Sequence, residues 1–214
     1  MSGFKSEQEL VDLFKSTFDN KIITSKIKIM EEVGVGFGFA DLVITELKGF
    51  ISSPKRNKLS FIDISVYQVV ESKKELPIDI ICTLTGIRQN EVRKSLDRLV
   101  DYNFVRDAGS SFRINTKYVL PFKKSSAFEA KLKNWKRAMN QAYRYKWFAD
   151  YAYVIMDETH SRQAVKNLSE FKNLNIGLLT ISTDGNIITH YKPRKKPPLD
   201  PGMQMMFSEE ILYH

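Results

Sequence analysis

Tyr151-Ala152-Tyr153-Val154-Ile155-Met156 is a continuous apolar run. A strand of that kind lacks the apolar/polar alternation of a half-buried one, so it needs cover on both faces and belongs at the centre of a sheet. The neighbouring segments supply the cover. A long helix is predicted from Leu132 to about Phe148, with Trp135, Ala138, Met139, Ala142, Tyr145 and Ala149 on its apolar stripe. A second follows over His160 to Phe171, then a strand pair, Ile176–Ser182 and Ile187–Tyr191, across the turn Asp184-Gly185-Asn186. At the other end, Ser6 to Phe18 reads as an amphipathic helix capped by Ser6, with Leu10, Val11, Phe14 and Phe18 on one side. Glu7 falls at the end of that buried stripe, whereas Glu9 points away. Ile22–Met30 and Val33–Thr45 read as antiparallel strands joined through Gly34, Gly36 and Gly38. The G-x-G-x-G spacing is not a dinucleotide fingerprint, because it runs into Phe39-Ala40-Asp41-Leu42-Val43-Ile44 rather than into a helix.

Between these halves the composition changes. Phe50 to Lys58 is a polar linker punctuated by Pro54. Beyond it come three helical segments, Ile62–Glu71, Ile78–Thr85 and Gln89–Tyr102, with Gly86 as a tight turn and Val92, Leu96, Leu99 and Val100 on one side of the third. Phe104-Val105-Arg106 and Phe112-Arg113-Ile114 flank a turn-rich tip and predict a small hairpin. The segment from Ser60 to Tyr118 resembles a winged-helix domain. In the DNA-binding version of that module, Arg88, Gln89, Asn90, Arg93, Lys94 and Arg98 would enter the major groove or hold phosphate, with Arg106 and Arg113 on the wing. The expected organisation is an α/β core over residues 1–55 and 119–192, an insert over 56–118, and a C-terminal tail over 193–214.

Charge is consistent with a polyanionic partner. Lysine and arginine outnumber acids 33 to 25, a formal net charge of +8. The single cysteine, Cys82, excludes an internal disulfide and fits a reducing compartment. There is neither an apolar stretch of membrane-spanning length nor a signal-peptide pattern over Met1–Gln8, so the expected location is cytoplasmic, with no membrane partner. His160, His190 and His214 lack the spacing of a zinc site, and no histidine stands in a recognisable relation to Ser110, Ser111 or Cys82. Lys192-Pro193-Arg194-Lys195-Lys196-Pro197-Pro198 reads as a solvated tail able to add nonspecific phosphate contacts.

The chemistry concentrates elsewhere. In Ala127-Phe128-Glu129-Ala130-Lys131 strand alternation puts Phe128 and Ala130 on one face and Glu129 and Lys131 on the other. Acidic oxygens hold a hard divalent cation, and a nearby lysine can steady or deprotonate an attacking water. Asp41, Glu129 and Lys131 supply that set. Gln141 precedes Tyr145 by one helical turn and borders the same apolar stripe.

In this order, a helix bearing Glu7, a strand with Gly38-Phe39-Ala40-Asp41, then Glu129-x-Lys131, then a helix with Gln141-x-x-x-Tyr145, the chain resembles the PD-(D/E)XK, or restriction-endonuclease-like, nuclease superfamily. The Gln141 and Tyr145 pair is similar to that of its RecB-like members. The resemblance covers about Gly3–Thr45 and Tyr118–Tyr191, with the winged-helix insert accounting for the long interval between Asp41 and Glu129. It implies a restriction-endonuclease-like mixed-sheet core flanked by helices. It also implies a metal-dependent DNA endonuclease using Mg2+ or Mn2+, held by Asp41, Glu129 and the Ala130 carbonyl, with Glu7 holding a second ion or its waters. Lys131 would activate water, Gln141 would position it, Tyr145 would pack beneath, and products would carry 5′-phosphate and 3′-hydroxyl ends. A homodimer would let paired sites cut both strands. RNA and single-stranded or branched DNA stay open as substrates. The competing reading is a non-enzymatic DNA-binding regulator or scaffold that retains the fold alone.

Overall fold

A computed structural model of the chain describes residues 3–18, 26–36, 38–49 and 54–214. The beginning of the first expected strand, Ile22 to Ser25, and the linker residues 50–53 lie outside the described residues, as does Phe37. The chain divides into two compact units, Met1–Ile51 with Phe122–Gln204, and Ser52–Pro121 with Met205–His214.

The first unit is a mixed α/β layer structure. Its elements are α1 (Glu7–Ser16), β1 (Ile27–Gly34) and β2 (Phe39–Leu47), the segment after Pro121 supplying the rest. Those are β6 (Phe122–Lys131), α5 (Trp135–Tyr145), β7 (Tyr151–Asp157), a 3-10 turn at Glu158–His160, α6 (Arg162–Lys166), α7 (Leu168–Leu174), β8 (Gly177–Ile181) and β9 (Ile187–Tyr191). Six strands form one sheet in the order β1-β2-β6-β7-β8-β9. The pairs β6/β7 and β7/β8 are parallel, whereas β1/β2, β2/β6 and β8/β9 are antiparallel.

The apolar run is the reason for this layering. β7 lies between two parallel neighbours, and every residue of it after Tyr151 is buried. One face packs Phe128, Ala130, Tyr153, Ile155, Leu179 and Ile181 against Leu10, Val11 and Phe14 of α1. Each of these large side chains, fully buried, contributes about 1.5–3 kcal/mol of transfer free energy. Glu129 has the opposite parity and meets Tyr145 of α5, so α5 covers the other face. The helix expected over His160–Phe171 is instead broken into the 3-10 turn, α6 and α7. The break falls at Asn167, whose φ of −100° and ψ of 28° leave the helical region.

In the second unit α2 (Phe61–Lys73), α3 (Ile78–Thr85) and α4 (Gln89–Asp101) pack around Ile64, Tyr67, Val70, Ile81, Leu96 and Leu99. Gly86 ends α3 at a φ of 68°, the left-handed conformation that favours glycine at a helix C-terminus. The strands β4 (Val105–Asp107) and β5 (Phe112–Ile114) pair as the sequence predicts. A third, β3 (Glu75–Leu76), pairs with β5 and gives the order β3-β5-β4. Residues 193–214, read from sequence as a tail, contain the helix α8 (Pro201–Tyr213), and from Met205 onward they belong to this unit. There the buried Glu209 accepts hydrogen bonds from Arg56 Nη1 and Nη2, Leu59 N and the Tyr118 hydroxyl, each at 2.7 Å. Among the described residues, no helix is long and apolar enough to cross a membrane.

Candidate active site

Two strands and two helices deliver the acidic cluster. Asp41 and Glu129 sit just beyond Leu42 and Phe128, the last residues that β2 and β6 pair with each other. There the Asp41 carboxylate replaces a ladder partner, its Oδ2 accepting the Ala130 N–H at 2.7 Å. Lys131, at the end of β6, turns its amine back. Its Nζ donates to Glu7 Oε2 at 2.7 Å and to the Ala130 carbonyl at 2.9 Å, and it lies 3.0 Å from Glu129 Oε1. Glu7 is placed for this contact because the Ser6 side chain caps the Glu9 N–H and starts α1 at that residue. Tyr145 approaches from α5, its hydroxyl touching both Glu129 Oε2 and the Phe39 carbonyl, the latter at 2.9 Å.

Of the residues predicted from sequence, the structure therefore joins Glu7, Asp41, Glu129, Ala130, Lys131 and Tyr145 in one network. Gln141 stands one turn before Tyr145, and its Oε1 is buried without a hydrogen-bond partner. Glu129 Oε1 is buried and likewise lacks a hydrogen bond. The nearby Lys131 amine makes an ion contact with it by distance, but not a well-directed bond.

Burial dominates the electrostatics. It raises the pKa of Glu129, helped by the neighbouring Asp41 charge and opposed by the Tyr145 hydroxyl and the Lys131 amine. Burial raises Asp41 too, against the Ala130 N–H and the Lys131 charge. For Lys131, burial alone would lower the value, but the contacts with Glu7 and Glu129 hold it above the usual range. Tyr145 is pushed far up, by burial first and then by the Glu129 carboxylate, so it remains a phenol. Its one proton faces two acceptors.

The donor set fits a hard divalent cation. The Asp41 and Glu129 carboxylates and the Ala130 carbonyl are oxygen ligands of the kind such an ion takes, and Glu129 Oε1 lacks a hydrogen bond that a cation would replace. Among the described residues no three acidic, histidine or cysteine side chains cluster closely enough to hold a metal by themselves.

The remaining predicted residues lie in the second unit. Arg88, Gln89, Asn90, Arg93 and Lys94 are exposed at and after the start of α4, and Arg93 lies over the Phe112 ring at 5.3 Å. Arg98 is engaged within the unit, its Nη2 and Nε bonding the buried Asp63 Oδ1 at 2.7 and 3.1 Å. Arg106 and Arg113 face each other across β4 and β5, and Arg113 Nε is buried without a hydrogen bond. Opposed like charges are unfavourable in a sheet, and on its other side Arg113 faces Glu75 of β3, which offsets the repulsion. Sequence reasoning missed Phe39, which acts through its main-chain carbonyl and so leaves no side-chain signature. It also passed over Arg144, whose Nη1 lies 3.9 Å from where a side chain on Gly38 would begin, although its position three residues after Gln141 placed it on the correct side of α5. No family model matches the chain, and neither a curated protein nor a solved structure does.

Proposed function

We propose that this chain is a metal-dependent DNA endonuclease of the restriction-endonuclease-like kind, with a winged-helix insert that grips DNA. The observation that carries the reading is the convergence of Asp41, Glu129 and Lys131 at one strand end, with Glu129 Oε1 and Gln141 Oε1 left without donors.

Asp41, Glu129 and the Ala130 carbonyl would hold Mg2+, which supplies Lewis-acid stabilisation of the scissile phosphate and eases ionisation of water. The protein's own work is positioning and charge control. Lys131, fixed between Glu7 and Glu129, orients the attacking water and offsets negative charge growing on phosphorus. Gln141 Oε1 is free to accept a hydrogen bond from that water. Tyr145 holds one oxygen of Glu129 so that the other faces the reaction. The water oxygen forms a bond to phosphorus while the bond to the 3′ oxygen breaks, giving a 5′-phosphate and, after proton uptake, a 3′-hydroxyl.

One observation favours the non-enzymatic alternative: Lys131 already has carboxylate partners, which leaves its amine less available to a phosphate. The two readings separate on supercoiled plasmid, linear duplex and single-stranded DNA incubated with Mg2+, Mn2+ or EDTA. Metal-dependent cleavage abolished by Asp41→Ala, with DNA binding intact, is the expected result. Cleavage retained in that variant refutes the assignment, and salt-sensitive binding without cleavage of any substrate establishes a regulator or scaffold.

A further inference from the structure

The basic run after β9 is not a loose tail. Asn175 grips Arg194 through both main-chain groups, its Oδ1 accepting the N–H at 2.9 Å and its Nδ2 donating to the carbonyl at 2.8 Å. Lys195 Nζ donates to the Lys123 carbonyl at 3.1 Å, and the Lys196 N–H reaches the Asp150 carbonyl at 3.4 Å. Topology explains the meeting. Tyr191 of β9 pairs with Leu178 at the start of β8, Gly177 pairs with Tyr153, and Tyr151 at the start of β7 pairs with Ser126 of β6. The end of β9 thus emerges beside the entries of β6 and β7, where Lys123 and Lys124 stand.

Lys146, capping the C-terminus of α5, and Lys196 line one hollow of about 380 Å3 with Asp150, Asn173, Pro197 and Leu199. The carboxylate there is already occupied. Asp150 Oδ2 accepts the Ser125 N–H and hydroxyl at 2.9 and 3.2 Å, and Oδ1 lies 3.6 Å from Lys195 Nζ. Lys123 has only a long contact to Glu46, 3.9 Å. Among the described residues no carboxylate comes within ion-pair distance of Lys146, Lys192, Arg194 or Lys196, although Lys146 Nζ donates one hydrogen bond to the Leu174 carbonyl at 2.9 Å. Burial, and then the Lys196 charge, lower the Lys146 pKa, which an incoming anion would reverse.

We infer that this end of the sheet, built from Lys123, Lys146, Arg194, Lys195 and Lys196, is a second phosphate-binding surface, which holds the DNA backbone flanking the cleavage point. The inference rests on the nucleic-acid reading of the chain and deepens it. Along β6, Glu129 lies five positions after Lys124 and Lys131 lies eight positions after Lys123. At about 3.3 Å per residue these span roughly 17–26 Å. At 3.4 Å per base pair this corresponds to about 5–8 base pairs of duplex between the acidic site and the surface.

The test measures affinity for labelled duplex by fluorescence anisotropy, using the full chain in EDTA between 50 and 200 mM salt. Removing two phosphate contacts lowers the slope of log affinity against log salt by about 1.8, so the parent should lose about 12-fold more affinity over that range than Lys195→Glu/Lys196→Glu. Lys146→Gln/Lys196→Gln, checked by circular dichroism for folding, should behave alike, while duplexes extending fewer than about 5 base pairs beyond the cut should not distinguish parent from variant. An unchanged slope in both variants overturns the surface, as does equal protection by inorganic phosphate or a mononucleotide at matched charge. If cleavage persists with the slope unchanged, the nuclease stands without this surface. If the slope falls but nothing is cut, the surface stands without the nuclease. Absence of all DNA binding overturns both.

Discussion

Lys131→Met removes the charge that holds the acidic site together and keeps most of the side chain's apolar volume. In the parent, Nζ stands 2.7 Å from Glu7 and 3.0 Å from Glu129, and the Glu129 side chain is 1% exposed. Without the amine, Glu129 Oε1 has no cation and no donor. Losing one member of a buried pair costs about 3–5 kcal/mol when the survivor must stay charged. Here Glu129 can take up a proton, because burial has already raised its pKa. The expected loss is therefore that of an unsatisfied polar group, about 1–3 kcal/mol. At about 2–4 °C per kcal/mol for a chain of this length, the Tm in EDTA should fall by roughly 2–12 °C. Mg2+ at 100 times its Kd should return about 2.7 kcal/mol, because a cation at the carboxylates takes over the neutralising role. It should not restore cutting. Loss of a preorganised donor at the developing charge costs about 100- to 1,000-fold, or roughly 2.7–4 kcal/mol of barrier. Plasmid cleavage and thermal melts, each with and without Mg2+, read both effects. A variant that melts with the parent in EDTA, or cuts within tenfold of it, refutes the reasoning.

Asp41→Asn should change how metal-free stability depends on pH. The folded-state pKa of Asp41 is raised, so its contribution to stability is complete below the unfolded pKa and is lost as pH rises through the folded value. Relative to the parent, the variant should thus gain in denaturation midpoint from acid to neutral pH in EDTA; a pH-independent difference would contradict the burial argument. Glu209→Ala strands a guanidinium, a phenol and a main-chain N–H in the second unit. It should cost about 3–5 kcal/mol in urea unfolding, and an unshifted midpoint would show that the cluster is not holding α8. Gly177→Ala places a methyl 2.1 Å from Tyr153 Cδ1 across the β7/β8 pair. Overpacking there should cost about 1–3 kcal/mol, partly recovered by Tyr153→Leu; equal melting temperatures for Gly177→Ala and the parent would exclude a close approach.

Local chemistry made much of this architecture legible. The uninterrupted apolar run of β7 required a covered central strand, and both parallel neighbours are there. Ser6 before an apolar stripe marked the start of α1, and Gly86 marked the end of α3. Parity placed Phe128 and Ala130 against α1 and Glu129 against α5. What failed to show depended on partners distant in sequence. Glu75–Leu76 is too short to carry a strand pattern and becomes one by pairing with β5. The Met-rich segment after Pro201 has no clear apolar face, and its place is set by Met205 and by the demand of Arg56 for Glu209. The bond from Tyr145 to a main-chain carbonyl and the folding of Arg194–Lys196 onto Asn175 depend on backbone groups, which side-chain spacing does not register.

The insertion leaves and re-enters the sheet at one residue pair, Leu47 beside Phe122. The acidic site depends on a contact between residues 89 positions apart, Asp41 and Ala130, with Ser52–Pro121 in between. Closing so long a loop is entropically costly, and folding the insertion first would lower that cost by about 1 kcal/mol, since only its flanking residues then remain to be closed. During synthesis Asp41 and Glu7 emerge long before Glu129 and Lys131 exist. An unfinished chain accordingly carries half of the acidic site, and on the proposed reading cutting chemistry would wait until the ribosome has passed well beyond residue 131 and the insertion has collapsed.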